Sequence, residues 1–314
     1  MKPIPLFDAH CDTIHGCVEE GEDLLRNTGH VDLIRGGAFS PWAQFFAFWI
    51  LRESVPPGGL YQEFLREYEW FRTELEKNSR CLVLCRSAGE IGKAAAEGRA
   101  AALLSVEGAE ILDCDIEKLK DAYHKGVRAV NLTWNHCNLL SGSIAEEDTR
   151  GLGPEGRTFV QTMEDLGMIV DVSHLSEPGF WDVAAMAKRP FMASHSNARP
   201  LAPHPRNLTN AQFRAIVNAG GVAGINLYAG FLGPRPTVDD AVSHIEHFLS
   251  QGGEKNVALG CDLDGCEELP AGMRGIQDLN LLYEALLRRN YSQSLVNDIF
   301  FNNLMRIVEE VCGI

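Results

Sequence analysis

The chain has 314 residues, 45% of them hydrophobic and 23% charged, with a formal net charge of −15. This length fits one α/β barrel or two modest domains, and the acidic balance argues against the clustered Lys and Arg of a nucleic-acid-binding face. No uninterrupted apolar run approaches the ~20 residues of a membrane span. Nine cysteines, an odd number without CxxC spacing, argue against a disulfide framework and read as small, mostly buried hydrophobes.

In chain order, eight short apolar runs read as strands: PIPLFDAH (3–10), AQFFAFWI (43–50), AALLSVEG (101–108), RAVNLTW (128–134), MIVDVSH (168–174), PFMASHS (190–196), GVAGINLY (221–228) and NVALGCDLDG (256–265). CLVLCR (81–86) is a candidate for one more. Helix-period segments fall between them at 59–78, 87–98, 115–126, 157–167, 210–221 and 237–253, several ending in Gly, as a helix C-terminus favours. Near-continuous apolar strands separated by helices predict a parallel sheet covered by helices, and eight of them predict a closed (β/α)8 TIM barrel. No repeat or linker interrupts the chain, so 1–314 reads as one barrel domain. The segment from Ile276 onward is predicted helical, capped at Ser292 or Ser294 and packed outside the barrel. The start, MKPIPLFDAHCD, runs straight into a strand without a signal-peptide core, and the end lacks a lipid-anchor pattern, so the expected location is cytoplasmic.

Ionisable residues sit at the tips of these strands. His10 and Asp12 end the first, Glu107 the third, His174 and His195 the fifth and sixth, and Asp262 the eighth. A buried strand gains nothing from such a residue, whereas imidazole nitrogen and carboxylate oxygen from separate strands converge on a divalent cation at one end of a barrel. His10 and Asp12, two apart, share a face, and Cys11 between them faces the other way and packs. Alone, an HxD pair also fits an Asp N-cap beside a packed His. Glu107 has two oxygens and fits either a bridge between two ions or an ion pair with an Arg. His174 and His195 share a Ser-His context on consecutive strands, which favours ligands over packed core histidines. Asp262 is placed to move a proton, Asp264 to cap a turn, and Asp171 reads as structural.

These residues, in the order DAHCD, SVEG, NLTWN, VDVSH, ASHSNAR, Arg206-Asn207, INLY and GCDLDG, resemble the renal (membrane) dipeptidase family, zinc dipeptidases of the amidohydrolase-type barrel superfamily. The resemblance covers nearly the whole chain. It implies one zinc held by His10, Asp12 and Glu107, and a second held by His174 and His195, with Glu107 and a hydroxide bridging them. Other divalent metals suit the same ligands. It further implies Asp262 as proton shuttle, Arg206 as the grip on the substrate's terminal carboxylate, and Tyr228 as a site residue. The substrate implied is a dipeptide, with tolerance for a D-residue at its C-terminal side, and the implied assembly is a homodimer, with neither nucleic acid nor membrane as partner. One position departs from the family: Trp134 follows Leu132-Thr133 where a substrate-polarising His is usual, and the nearest imidazole is His136. Either His136 reaches the same place or it is a solvent-facing loop residue. Two other readings stand beside this one, a metal-dependent amidohydrolase or lactonase acting on non-peptide amides or esters, and a non-catalytic binding protein on the same fold. The first is disfavoured by His-x-Asp where such relatives often carry His-x-His, and by Glu where they use a carbamylated Lys.

Overall fold

The computed structural model describes residues 3–313. Among these residues are nine parallel strands: β1 (Ile4–Asp8), β2 (Phe39–Phe48), β3 (Leu82–Leu84), β4 (Ala100–Glu107), β5 (Val127–Asn131), β6 (Ile169–Asp171), β7 (Met192–Ala193), β8 (Val222–Ile225) and β9 (Val257–Leu259). Eight close into a ring, β1-β2-β4-β5-β6-β7-β8-β9, with β9 returning to β1 through Asp8 and Leu259. The expected (β/α)8 TIM barrel is therefore present, and the run at 81–86 supplies the additional strand. β3 pairs with the first half of β4 at Ala100–Ala102, leaving β5 to pair with its second half at Leu104–Glu107.

Alternation along the strands sorts their side chains into two cores. On β4, Leu104 and Val106 join the cluster under the surrounding helices, while Ala101 and Leu103 face the interior. Phe46 and Phe48 of β2 likewise meet Phe71 and Phe64 of the helix Leu60–Lys77. The interior cluster draws on all eight barrel strands, including Phe7, Phe45, Ala129, Ile169, Met192, Val222 and Ala258.

The C-terminal helices lie outside the barrel as expected, and Ser292 is the cap, accepting from Leu295 N–H. The last helix, Asn303–Cys312, takes a more specific place. Its Leu304, Ile307, Val308 and Val311 belong to the interior cluster. Arg306 donates to the carbonyls of Gly220 (2.7 Å) and Lys255 (2.8 Å), which lie two positions before β8 and β9. The helix thus covers the N-terminal end of the barrel, and the opposite end is left to the site. Close approach inside the ring is permitted by glycine: a Cβ on Gly260 would stand 1.6 Å from the Ser194 carbonyl oxygen. No helix among the described residues is long and apolar enough to cross a membrane.

Candidate metal centre and active site

Each of the expected ligands lies at the C-terminal end of a barrel strand, and the chain leaves regular strand geometry to deliver them. β1 ends at Asp8 and bends at Ala9. Residues 10–12 stay tied to the barrel, with Asp262 N–H donating to His10 O and Ala47 N–H to Cys11 O. Cys11 is buried and its thiol donates to Phe45 O at 3.4 Å, a packing role. Glu107 needs no such device, since it shares the inward face of β4 with Ala101 and Leu103. His174 and Asp262 both have left-handed backbone, with φ of 69° and 59°. Such conformations are costly for non-glycine residues and persist where surrounding structure imposes them, often at functional sites.

The side chains meet in a buried cluster. His10 Nε2 lies 3.4 Å from Asp12 Oδ2, 3.4 Å from Glu107 Oε2 and 4.0 Å from Asp262 Oδ1. The other Glu107 oxygen, Oε1, lies 2.9 Å from His174 Nε2 and 3.4 Å from His195 Nε2. The two imidazole Nε2 atoms are 2.9 Å apart. Their Nδ1 atoms are engaged on the far side, His174 with Asn135 Oδ1 (3.0 Å) and His195 with Ser194 Oγ (2.7 Å), which turns both Nε2 atoms to the centre. Asp171, also buried, accepts from the N–H groups of Ser173 and Ser194 and joins the two loops, a structural task.

The donor set fits divalent cations. Two groups have ligand atoms within 4.8 Å of one another, His10 with Glu107 and His195, and His10 with Asp12 and Asp262. Both ring nitrogens of His10 and Oδ1 of Asp12 are buried without a hydrogen-bond partner among the described residues, a costly state that a cation relieves. A Cβ on Gly265 would stand 2.1 Å from Asp12 Oδ2 and 2.4 Å from Asp262 Oδ1, so only glycine leaves these carboxylates their place. Burial pushes His174 down to about 4, with the Arg206 guanidinium adding to the effect, and lowers His195 as well. Neutral imidazole is the ligand form. Burial opposes charge on His10, yet Glu107 and Asp12 beside it hold it well above the ordinary histidine value. A proton there offsets carboxylate charge, as a cation would.

A cavity of about 380 Å³ opens over the cluster, lined by Asp12, Glu107, His174 and Asp262 together with Arg206 and Tyr228. Arg206 is buried, and its Nε and Nη2 have no partner among the described residues, so two donors are free to face a ligand. Burial pulls its pKa down to about 10, which leaves it charged at neutral pH. Burial raises Asp262, and Asn226 Nδ2 donates to its Oδ2 at 2.9 Å. Asp264 also has left-handed backbone and accepts from Thr13 Oγ1 at 2.6 Å, tying the last loop to the first helix.

His136 is not brought to the site. It stands 3.5 Å from both Glu53 and Glu146, whose carboxylates hold it at the rim, and it does not line the cavity. Trp134 and Asn135 line it instead, Trp134 set edge-on to Trp49 at 5.0 Å between ring centroids. Sequence reasoning missed Asn226 and His15. Asn226 directly follows β8, and His15 lies in the helix Thr13–Glu20 on the same face.

Comparison with known proteins agrees with this geometry. The family model for membrane dipeptidase (peptidase family M19) matches residues 1–313. An uncharacterized dipeptidase of Schizosaccharomyces pombe is 30% identical over 305 residues, covering 89% of this chain and 72% of the relative. Among solved structures, a metallopeptidase from Rhodobacter sphaeroides liganded with a phosphinate mimic of L-Ala-D-Ala is 25% identical, with a TM-score of 0.90 over 99% of this chain and 100% of the other. The M19 dipeptidase AC is 26% identical, with a TM-score of 0.91 over the full length of both chains. The chain belongs to the membrane dipeptidase family, peptidase family M19, and is a metallo-dipeptidase.

Proposed function

We propose that the protein hydrolyses the amide bond of dipeptides at a binuclear zinc centre, with L-Xaa-D-Xaa substrates accepted as well as L,L. The observation that carries this reading is the division of Glu107, whose Oε2 faces His10 and whose Oε1 faces His174 and His195. His10, Asp12 and Glu107 would hold one ion, and Glu107, His174 and His195 the other. When bound, such ions would supply Lewis-acid activation of the attacking water and of the scissile carbonyl. The L,D range is supported by the L-Ala-D-Ala mimic bound to the Rhodobacter sphaeroides relative.

The remaining tasks fall to this chain's own side chains. Arg206 takes the substrate's terminal carboxylate with its two free donors. Tyr228 lines the same wall, beside Phe231. Asp262, its Oδ2 held by Asn226, accepts the proton of the attacking water at Oδ1 and delivers it to the amine as the C–N bond breaks. His136 has no part in this reading. We further propose that 1–314 acts as one catalytic domain, as a homodimer in the cytoplasm, to be checked by sedimentation and fractionation.

The direct test is a panel of L,L-, L,D- and D,D-dipeptides, assayed on zinc-loaded protein, after chelation and after zinc is returned. Turnover lost on chelation and regained with zinc is expected. Failure to cleave any dipeptide overturns the reading.

A further inference from the structure

The buried face of the helix Leu60–Lys77 is formed by Phe64, Glu67, Phe71 and Glu74. Two carboxylates on a core-facing stripe are unusual, because Glu is rarely buried unless paired. Glu74 is accounted for by Leu24 N–H, Asn78 and Lys77. Glu67 is fully buried and meets one group, His15 Nδ1 at 2.9 Å, while its Oε2 has no partner among the described residues.

His15 lies on the first helix, Thr13–Glu20, and its ring meets Trp49 edge-on at 4.8 Å. Both line the cavity above the metal-type cluster. With Nδ1–H given to Glu67, Nε2 is the atom left for a ligand, and it makes no hydrogen bond to protein among the described residues. The charges that act most strongly on His15 are those of Glu67, Glu19 and Asp12, with Arg66 beyond them at 3.7 Å from Glu19. Burial opposes charge on the ring, but these carboxylates raise it above the ordinary histidine value. An imidazolium whose Nδ1–H is already engaged can only donate from Nε2. Trp49 follows β2 and Arg206 follows β7, and these strands stand opposite each other in the ring of eight.

We propose that His15, backed by Glu67, is a specificity-determining residue that binds a side-chain carboxylate on the substrate's N-terminal residue, favouring dipeptides that begin with Glu or Asp. This rests on the dipeptidase reading, in which Arg206 holds the terminal carboxylate and the N-terminal residue extends across the barrel mouth. Trp49 and Trp134 supply an apolar wall for the methylene stem of such a side chain, and the imidazolium meets its tip.

The test compares kcat/KM for L-Glu-L-Ala, the isosteric L-Gln-L-Ala, L-Ala-L-Glu and L-Ala-L-Ala on zinc-loaded enzyme. A charge-assisted hydrogen bond predicts a preference of about tenfold or more for Glu over Gln at the first position. In H15Q the Glu-to-Gln ratio falls toward one. Cleavage of L-Ala-L-Ala without a first-position preference for Glu overturns the proposal and leaves the dipeptidase reading intact. A preference that survives in H15Q also overturns it. Should H15Q not fold, as judged by its thermal melt, the wild-type Glu-to-Gln ratio decides. No cleavage of any member of this panel overturns the proposal, and the dipeptidase reading falls with it only if the L,D- and D,D-dipeptides are not cleaved either.

Discussion

Asn226 Nδ2 donates to Asp262 Oδ2 at 2.9 Å, so the two oxygens of this carboxylate have different surroundings: one is anchored, and the other lies 4.0 Å from His10 Nε2. An anchored carboxylate with one free oxygen is suited to carry a proton between two fixed positions. Asp262→Asn removes the basic oxygen and keeps the shape. We expect kcat to fall by about 10²–10⁴-fold, the usual worth of a positioned acid–base group, with metal content unchanged. Steady-state kinetics with metal analysis checks this, and normal turnover removes Asp262 from its role.

Glu107 is the point on which both halves of the centre depend. Glu107→Gln keeps size but withdraws the negative charge that faces three imidazoles. The expected outcome is loss of both ions, read as metal per chain after dialysis, together with loss of turnover. A variant that retains two ions per chain contradicts the bridging assignment.

Arg206→Met tests the carboxylate grip. Removing a charged hydrogen-bonding partner costs about 1.5–3 kcal/mol, or about ten- to a hundredfold in kcat/KM. The loss is expected for free dipeptides and absent for C-terminally amidated ones, which present no carboxylate. An equal loss on both assigns Arg206 to another task.

The raised pKa of His10 sets a pH dependence in the metal-free protein. A histidine raised in the folded state contributes stability that is full below its unfolded value, near 6.5, and is lost as pH rises through the folded value. Cations displace that proton, so they bind more tightly as pH rises. The gap in melting temperature between zinc-loaded and chelated protein is therefore expected to widen from about pH 6 upward. A constant gap counts against His10 as a ligand.

Gly265→Ala places a methyl against Asp12 Oδ2 and Asp262 Oδ1. Both carboxylates must shift, so activity and metal retention are expected to fall by far more than the melting temperature. Unaltered kinetics shows that the loop moves freely.

Much of this architecture was legible from the strand tips alone, since a metal-type side chain at the end of an apolar run has few other uses. The barrel and its additional strand followed from counting such runs. The local backbone was less legible. PFMASHS reads as a longer strand than the two residues of β7, and MIVDVSH ends in left-handed backbone at His174, a turn that no propensity marks on a histidine. His136 was ambiguous because its orientation depends on Glu53 and Glu146, and Glu53 lies far from it in sequence. The apolar spacing of Asn303–Cys312 looks the same whether that helix flanks a barrel or covers its base.

That last helix has a consequence for synthesis. Its apolar side chains seal the interior on which every barrel strand converges, yet they follow all of those strands in the chain. A nascent chain that has emitted its eight barrel strands still lacks the side chains that cover this end of the core. The interior is therefore covered at its base only once residues 303–312 are released, and ribosome-bound chains lacking them are the species expected to depend on chaperones.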